Sequence, residues 1–130
     1  MTTLVRGKYS AAAIALWIAQ IGAAGMFLMA GGLKLAGAPA MVQLFDAIGI
    51  GQWFRYVTGA IEVVSAILLF VPSLAFFGAL ALVPTMIGAV LTHLFIVGGS
   101  PAASIVLLAT TAAIAWARRD TLSVVFSQLD

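Results

Sequence analysis

Twenty-five consecutive residues, Tyr9 to Leu33, carry no charge, and a helix of that length crosses a hydrocarbon core of about 30 Å with room for tilt. Nothing else in the chain restricts its fold as much. With 64% hydrophobic and 8% charged residues, the sequence lies far outside the soluble range of about half apolar and a quarter charged. The run also exceeds the ~7–15-residue apolar region of a cleavable signal peptide. It predicts a first membrane helix over about residues 12–34. Gly31 and Gly32 are expected to weaken its last turn, and Lys34 to emerge at the interface, where its stem can snorkel.

Three further apolar segments follow, at about residues 53–71, 74–97 and 101–117. Val71-Pro72-Ser73 is too short to cross anything, so the third segment must return against the second. Gly98-Gly99-Ser100-Pro101 is a break and restart, with Ser100 as N-cap and Pro101 at the first helical position. Pro84 predicts a kink or a hydrated carbonyl in the third helix. Between the first two helices, Pro39 to Ile48 forms a short amphipathic piece whose face of Met41, Leu44, Phe45 and Ile48 suits a membrane surface, with Asp46 turned to water. Leu122, Val125, Phe126 and Leu129 repeat that spacing in the tail, residues 120–130. The fold class is all-α: one transmembrane domain over residues 1–130, a membrane-embedded antiparallel four-helix bundle with an interfacial segment between helices 1 and 2. Arg6 and Lys8 before the first helix, and Arg118 and Arg119 after the fourth, predict both termini on the cytoplasmic side of the cell (inner) membrane, against Lys34 and Arg55 on the other side.

Each helix has a distinct interior stripe. In the second, Arg55, Thr58, Gly59, Glu62, Ser65, Ala66 and Leu69 share one face, opposite Val57, Ile61, Val64 and Leu68. In a membrane the aliphatic face meets lipid and the polar face meets other helices. The first helix offers Gln20, Ala23, Ala24, Phe27, Gly31 and Lys34 opposite Ile14, Ile18, Ile21 and Leu28; the third offers Gly78, Thr85, Gly88, Ala89 and Thr92, with His93 at the edge. Gln20 is read as an interhelical hydrogen-bonder.

At 1.5 Å per residue, Glu62 sits roughly 10 Å deeper than Arg55, near mid-membrane, and His93 roughly 6 Å inside the end of the third helix. Lys34, Arg55 and His93 then share the outer half of the bilayer with Glu62. An acid at that depth costs about 2.5–3.5 kcal/mol on insertion scales, so it must be paired, protonated or solvated within the bundle. Two readings stand: Glu62 as structural glue to Lys34, Arg55 or a threonine, or Lys34, Arg55, Glu62 and His93 as a ligand-binding set with His93 exchanging protons near neutrality.

Several chemistries are excluded. The chain has no cysteine, hence no thiol–disulfide exchange, iron–sulfur cluster or thiolate zinc site. Its single histidine cannot supply both axial ligands of a bis-histidine haem. No spacing favours a metal, no phosphate-binding glycine loop or nucleophile elbow is present, and no basic cluster suits a nucleic acid.

Three stretches, FLMAGGLKLAG (Phe27 to Gly37), LFDAIGIGQWFRYVTGAIEVVSAILLFVP (Leu44 to Pro72) and TMIGAVLTHL (Thr85 to Leu94), resemble the DoxX and DoxX-like family of small four-helix membrane proteins. They carry Phe-x-x-x-Gly-x-x-Lys-Leu, Gly-x-x-Glu at Gly59 and Glu62, and Met-x-Gly-Ala…His. The resemblance implies a subunit of a membrane oxidoreductase assembly, linked in that family to thiosulfate:quinone oxidoreduction, sulfur handling or oxidative stress, with Lys34, Glu62 and His93 at the matching positions. The functional expectation is a redox-associated subunit that binds a quinone or similar lipophilic carrier, receives electrons from a partner, and works in a larger redox complex or a homo-oligomer. The rival expectation is a scaffold or assembly protein, or a small transporter, whose polar stripe only joins helices.

Overall fold

The computed structural model describes residues 10–129, and every regular element among them is helical. Arg6, Lys8 and the Val125 side chain lie outside the described residues. The elements are α1 (Ala11–Ala36), α2 (Pro39–Ile48), α3 (Trp53–Leu69), α4 (Ala75–Thr92), a π-helical turn (His93–Val97), α5 (Ala102–Ala117) and α6 (Asp120–Leu129).

Ser10 starts α1 by accepting the Ala13 N–H at 3.1 Å. The helix does not loosen at Gly31-Gly32 but continues to Ala36, because Gly31 is clamped against α3. It stops at Gly37, whose left-handed backbone (φ 73°) directs its N–H back to the Leu33 and Lys34 carbonyls. Helix α3 ends at Leu69, short of the expected 71. Pro84 sits inside an uninterrupted α4, and Thr85 Oγ1 donates to the Ala81 carbonyl at 2.9 Å. The third segment does reach Val97, but its last five residues widen into a π-helix, a form that occurs mostly as single turns near functional sites. Pro101, not Ser100, stands at the α5 cap; Ser100 Oγ accepts the Ala102 N–H at 3.2 Å from one residue further out.

The main packing is α1 on α3, α3 on α4 and α4 on α5, with α1 touching α5 more sparsely. A core of Ala23, Ala24 and Phe27 from α1, Ala66 and Leu69 from α3, Ala79, Leu82 and Met86 from α4, and Ile114 from α5 joins them. The inward stripes expected for α1 and α3 are the buried ones. On α4 the buried line is instead Ala75, Phe76, Gly78, Ala79, Leu82 and Met86, while Gly88 is exposed. Dense apolar packing takes the Ala79–Leu82–Met86 stripe and rotates the weakly polar one towards a hollow. At Gly78 a Cβ would come within 2.6 Å of the Ser65 carbonyl oxygen, so α3 and α4 approach too closely there for any side chain.

Helix α2 packs its apolar face against the rest of the chain and leaves Asp46 exposed. Phe45 is buried, packed edge-on against the Phe54 ring with centroids 5.7 Å apart. Gln52 Nε2 donates to the Val42 carbonyl at 3.0 Å and to Asp46 Oδ1 at 2.7 Å, and the Ala38 N–H reaches Leu33 O at 3.0 Å. Tied at both ends, α2 folds its apolar face onto the chain. The tail helix α6 exposes Leu122, Phe126 and Leu129.

Candidate functional site

Gly31 and Gly59 position the site. A Cβ on Gly31 would meet the Gly59 carbonyl oxygen at 2.8 Å and Glu62 Cβ at 3.0 Å; one on Gly59 would meet Lys34 Cβ at 2.9 Å. The bare backbones let α1 and α3 close up, which brings two side chains from different helices together. Lys34 Nζ lies 3.0 Å from Glu62 Oε1 and donates to Oε2 at 3.2 Å. The Glu62 side chain is 2% exposed and that of Lys34 13%, so Lys34 turns inward to the acid.

This pair forms part of the wall of a cavity of about 770 Å³ bounded by α1, α2, α3, α4 and α5, within the usual size range of small-molecule sites. Most of the wall is apolar. Met26, Met29, Met41 and Met86 all border it, which are all the methionines among the described residues. Unbranched thioethers adapt to irregular ligand shapes. Phe27, Phe45 and Phe54 add aromatic rings to the wall.

The polar groups sort by role. Thr58, Thr85 and Thr92 line the cavity, and each hydroxyl donates to the carbonyl four residues back, at 2.8, 2.9 and 2.8 Å. Their protons are committed, so towards a ligand they act as acceptors. His93, first residue of the π-turn, also borders the cavity, its Nδ1 3.0 Å from the Gly98 carbonyl. A carbonyl only accepts, so Nδ1 carries the proton and Nε2 is the acceptor of the neutral ring. The side-chain donors left to a ligand are the Lys34 ammonium and the Ser104 hydroxyl.

Of the four expected site residues, Lys34, Glu62 and His93 line one cavity, and Arg55 does not. Arg55 is buried, 5% exposed; its Nε donates to Gln52 Oε1 at 2.6 Å, Nη1 donates to the Lys34 carbonyl oxygen, and the guanidinium lies 4.3 Å from the Tyr56 ring centre. It fastens the end of α1 to the start of α3. A second polar node lies further along the same two helices. Gln20, wholly buried, donates to Leu69 O at 2.9 Å and accepts from Arg118 Nε at 2.8 Å. Arg118 reads in sequence only as a flanking charge; its separation of 98 residues from Gln20 left no local pattern to reveal the contact. Among the described residues no group of three His, Cys, Asp or Glu residues forms a metal site.

A small all-helical protein with polar side chains buried beside an apolar core, and many large aliphatic side chains exposed, is the class that this fold defines. The chain belongs to the DoxX-like family, whose model matches residues 18–118, a span that includes both polar nodes and all three cavity-lining site residues. Neither a search of curated proteins nor one of solved structures found a match.

Proposed function

We propose that this chain is a membrane-embedded antiparallel four-helix bundle, one domain, whose cavity binds a quinone or a similar lipophilic carrier within a redox-associated complex. Membrane embedding draws support from what the helices do with their apolar surface. Two helical stretches, Ala11–Ala36 and Ala75–Val97, are long and apolar enough to cross a membrane, yet only 22% and 11% of their most apolar windows are buried. Core helices of a soluble protein would be covered. Ile18 is 67% exposed and Phe95 79%, while Glu62 is 1% exposed. Helices α3 and α5, at 17 and 16 residues, reach about 24–26 Å and span with local thinning of the bilayer.

The paired order of contacts supports antiparallel packing of α1 and α3: Gln20 meets Leu69, and Gly31 meets Gly59. The proposed orientation, with both termini cytoplasmic, rests on the basic residues that flank the first and last spans. A place in the cell (inner) membrane is part of the same proposal.

The observation that carries carrier binding is the cavity itself: a largely apolar space with Lys34 as donor, Thr58, Thr85, Thr92 and His93 Nε2 as acceptors, and a deep carboxylate beside the ammonium. A quinone presents carbonyl acceptors when oxidised and hydroxyl donors when reduced, and this wall answers both. Lys34 donates to a carbonyl oxygen of the oxidised ring, His93 Nε2 accepts from a hydroxyl of the reduced one, Glu62 accepts or returns a proton, and electrons come from a partner protein. Purified protein titrated with a menaquinone or ubiquinone analogue is expected to rise in melting temperature saturably, and Glu62→Gln to weaken that rise. Absence of a saturable response to any quinone rejects the site.

One observation favours a second reading, a scaffold or small transporter: among the described residues every buried side-chain polar atom already has a protein partner. Co-purification separates the two. If the chain is always isolated with a larger enzyme, and Glu62→Gln breaks assembly while residual complexes stay fully active, scaffolding is the function.

A further inference from the structure

At the seam where α1 and α5 meet, the cavity adjoins a second space. This is a groove of about 340 Å³ lined by Met26, Ala102, Ala103, Val106 and Leu107. Met26, Ala103 and Leu107 border both spaces, so the two adjoin. The groove wall holds no charged and no hydroxyl side chain. Its outer residues are open: Val106 is 64% exposed and Met26 46%. Helix α1 also touches α5 more sparsely than α1 touches α3, α3 touches α4 or α4 touches α5.

From this geometry we infer that the α1–α5 seam is a lateral gate, with Met26 as its movable part, through which the cavity takes a head-and-tail amphiphile from the bilayer: a compact acceptor-bearing head inside and a single linear apolar tail passing out along the groove. The inference rests on the carrier reading above. With Met26 swung aside, groove and cavity make one path whose polarity falls from the Lys34–Glu62 pair to bare alanines, which matches one molecule with a polar and an apolar end. A thioether side chain with three rotatable bonds swings aside at little cost. Transfer of a tail from lipid to groove gains no hydrophobic free energy, because lipid tails are as apolar as the groove. The gate therefore governs which ligands fit and contributes little to how tightly they bind.

The test compares a tail-less naphthoquinone with the same ring bearing an isoprenoid tail, each titrated into wild-type protein in lipid nanodiscs and into two variants, Ala102→Trp and Val106→Trp. Both positions are exposed and line the groove but not the cavity, so the indole rings obstruct the exit without entering the core; unchanged melting temperatures check this. Each variant is expected to weaken the tailed quinone roughly ten- to hundredfold and to leave the tail-less one unchanged. Comparing variant with wild type for the same compound cancels its partition into lipid. If both compounds weaken alike, or neither variant affects the tailed one, the gate is rejected while the carrier site stands. If wild-type protein binds neither compound, the carrier reading falls and the gate with it.

Discussion

Gly31 and Gly59 each occupy the place opposite the other helix's charged residue: Gly31 lies against Glu62 Cβ and Gly59 against Lys34 Cβ, at distances of 3.0 and 2.9 Å for an added methyl. The Gly-x-x-Lys of α1 and the Gly-x-x-Glu of α3 are therefore one device. Each glycine opens the room into which the residue three positions on in the other motif is brought, and a single close approach yields both packing and ion pair.

Substitution at either glycine must push the helices apart. Gly31→Val or Gly59→Val is expected to destabilise by about 2–4 kcal/mol through overpacking against backbone that cannot yield. Gly32 has no atom within reach of an added Cβ, and Gly32→Ala should gain about 0.5–1 kcal/mol from helix propensity alone. Thermal unfolding in detergent, monitored by circular dichroism, checks both signs at once; equal effects at Gly31 and Gly32 would show that contact with α3 is not what matters.

The ion pair invites a double-mutant cycle. Lys34→Met or Glu62→Leu alone leaves a charge without its partner in an apolar setting, at a cost of about 3–5 kcal/mol, whereas the double variant removes both charges and should recover most of that loss. Stability then returns without the chemistry: the double variant is expected to unfold near the wild-type temperature and to have lost saturable quinone binding. Stability and binding are read on the same samples, so recovery of both would assign the pair to folding only.

Two levels of this arrangement differ in how far they can be read from sequence. Helix faces follow from a period of 3.6, and the buried lines of α1 and α3 are the polar stripes because in both helices the small residues and the polar residues coincide. On α4 they do not. Gly78 belongs with Ala79 and Leu82 at the packing face, while Thr85 and Thr92 border the cavity, and one-dimensional spacing cannot tell which stripe the neighbours will take. The inward fold of α2 depends on Gln52 reaching Val42 and Asp46, and the π-turn at His93 has no residue code. Ion-pair partners could be limited to a few candidates, since a deep acid needs one, but choosing Lys34 over Arg55 required the close approach at the two glycines.

Arg55 separates architecture from ligand contact. Its guanidinium uses two nitrogens in different directions, Nε on Gln52 and Nη1 on the Lys34 carbonyl, while its face covers Tyr56. An ammonium has neither the fork nor the plane, so Arg55→Lys is expected to cost about 1–3 kcal/mol despite keeping the charge. Because Arg55 does not line the cavity, the affinity of folded protein for a quinone analogue should change little, measured well below the lowered melting temperature. A large loss of affinity at full folding would move Arg55 into the binding site.

Gln20 is the corresponding fastener at the far end of α1. Its amide has both ends in use, Nε2 on the Leu69 carbonyl and Oε1 on the Arg118 side chain, at 2.9 and 2.8 Å, in a position with no exposure. Gln20→Glu supplies two acceptors and no amide donor, which improves the partner for Arg118 and leaves the Leu69 carbonyl facing a carboxylate. Gln20→Met removes both bonds and leaves Arg118 Nε without this acceptor. Each buried group left unsatisfied costs about 1–3 kcal/mol, so both variants are expected to be destabilised. They differ under a second change, since Arg118→Met removes the charge that the glutamate answers: it should deepen the loss in Gln20→Glu and lessen it in Gln20→Met. Melting temperatures of the single and double variants decide this, and purely additive effects would mean that the Gln20–Arg118 bond contributes nothing to holding α1 against the end of α5.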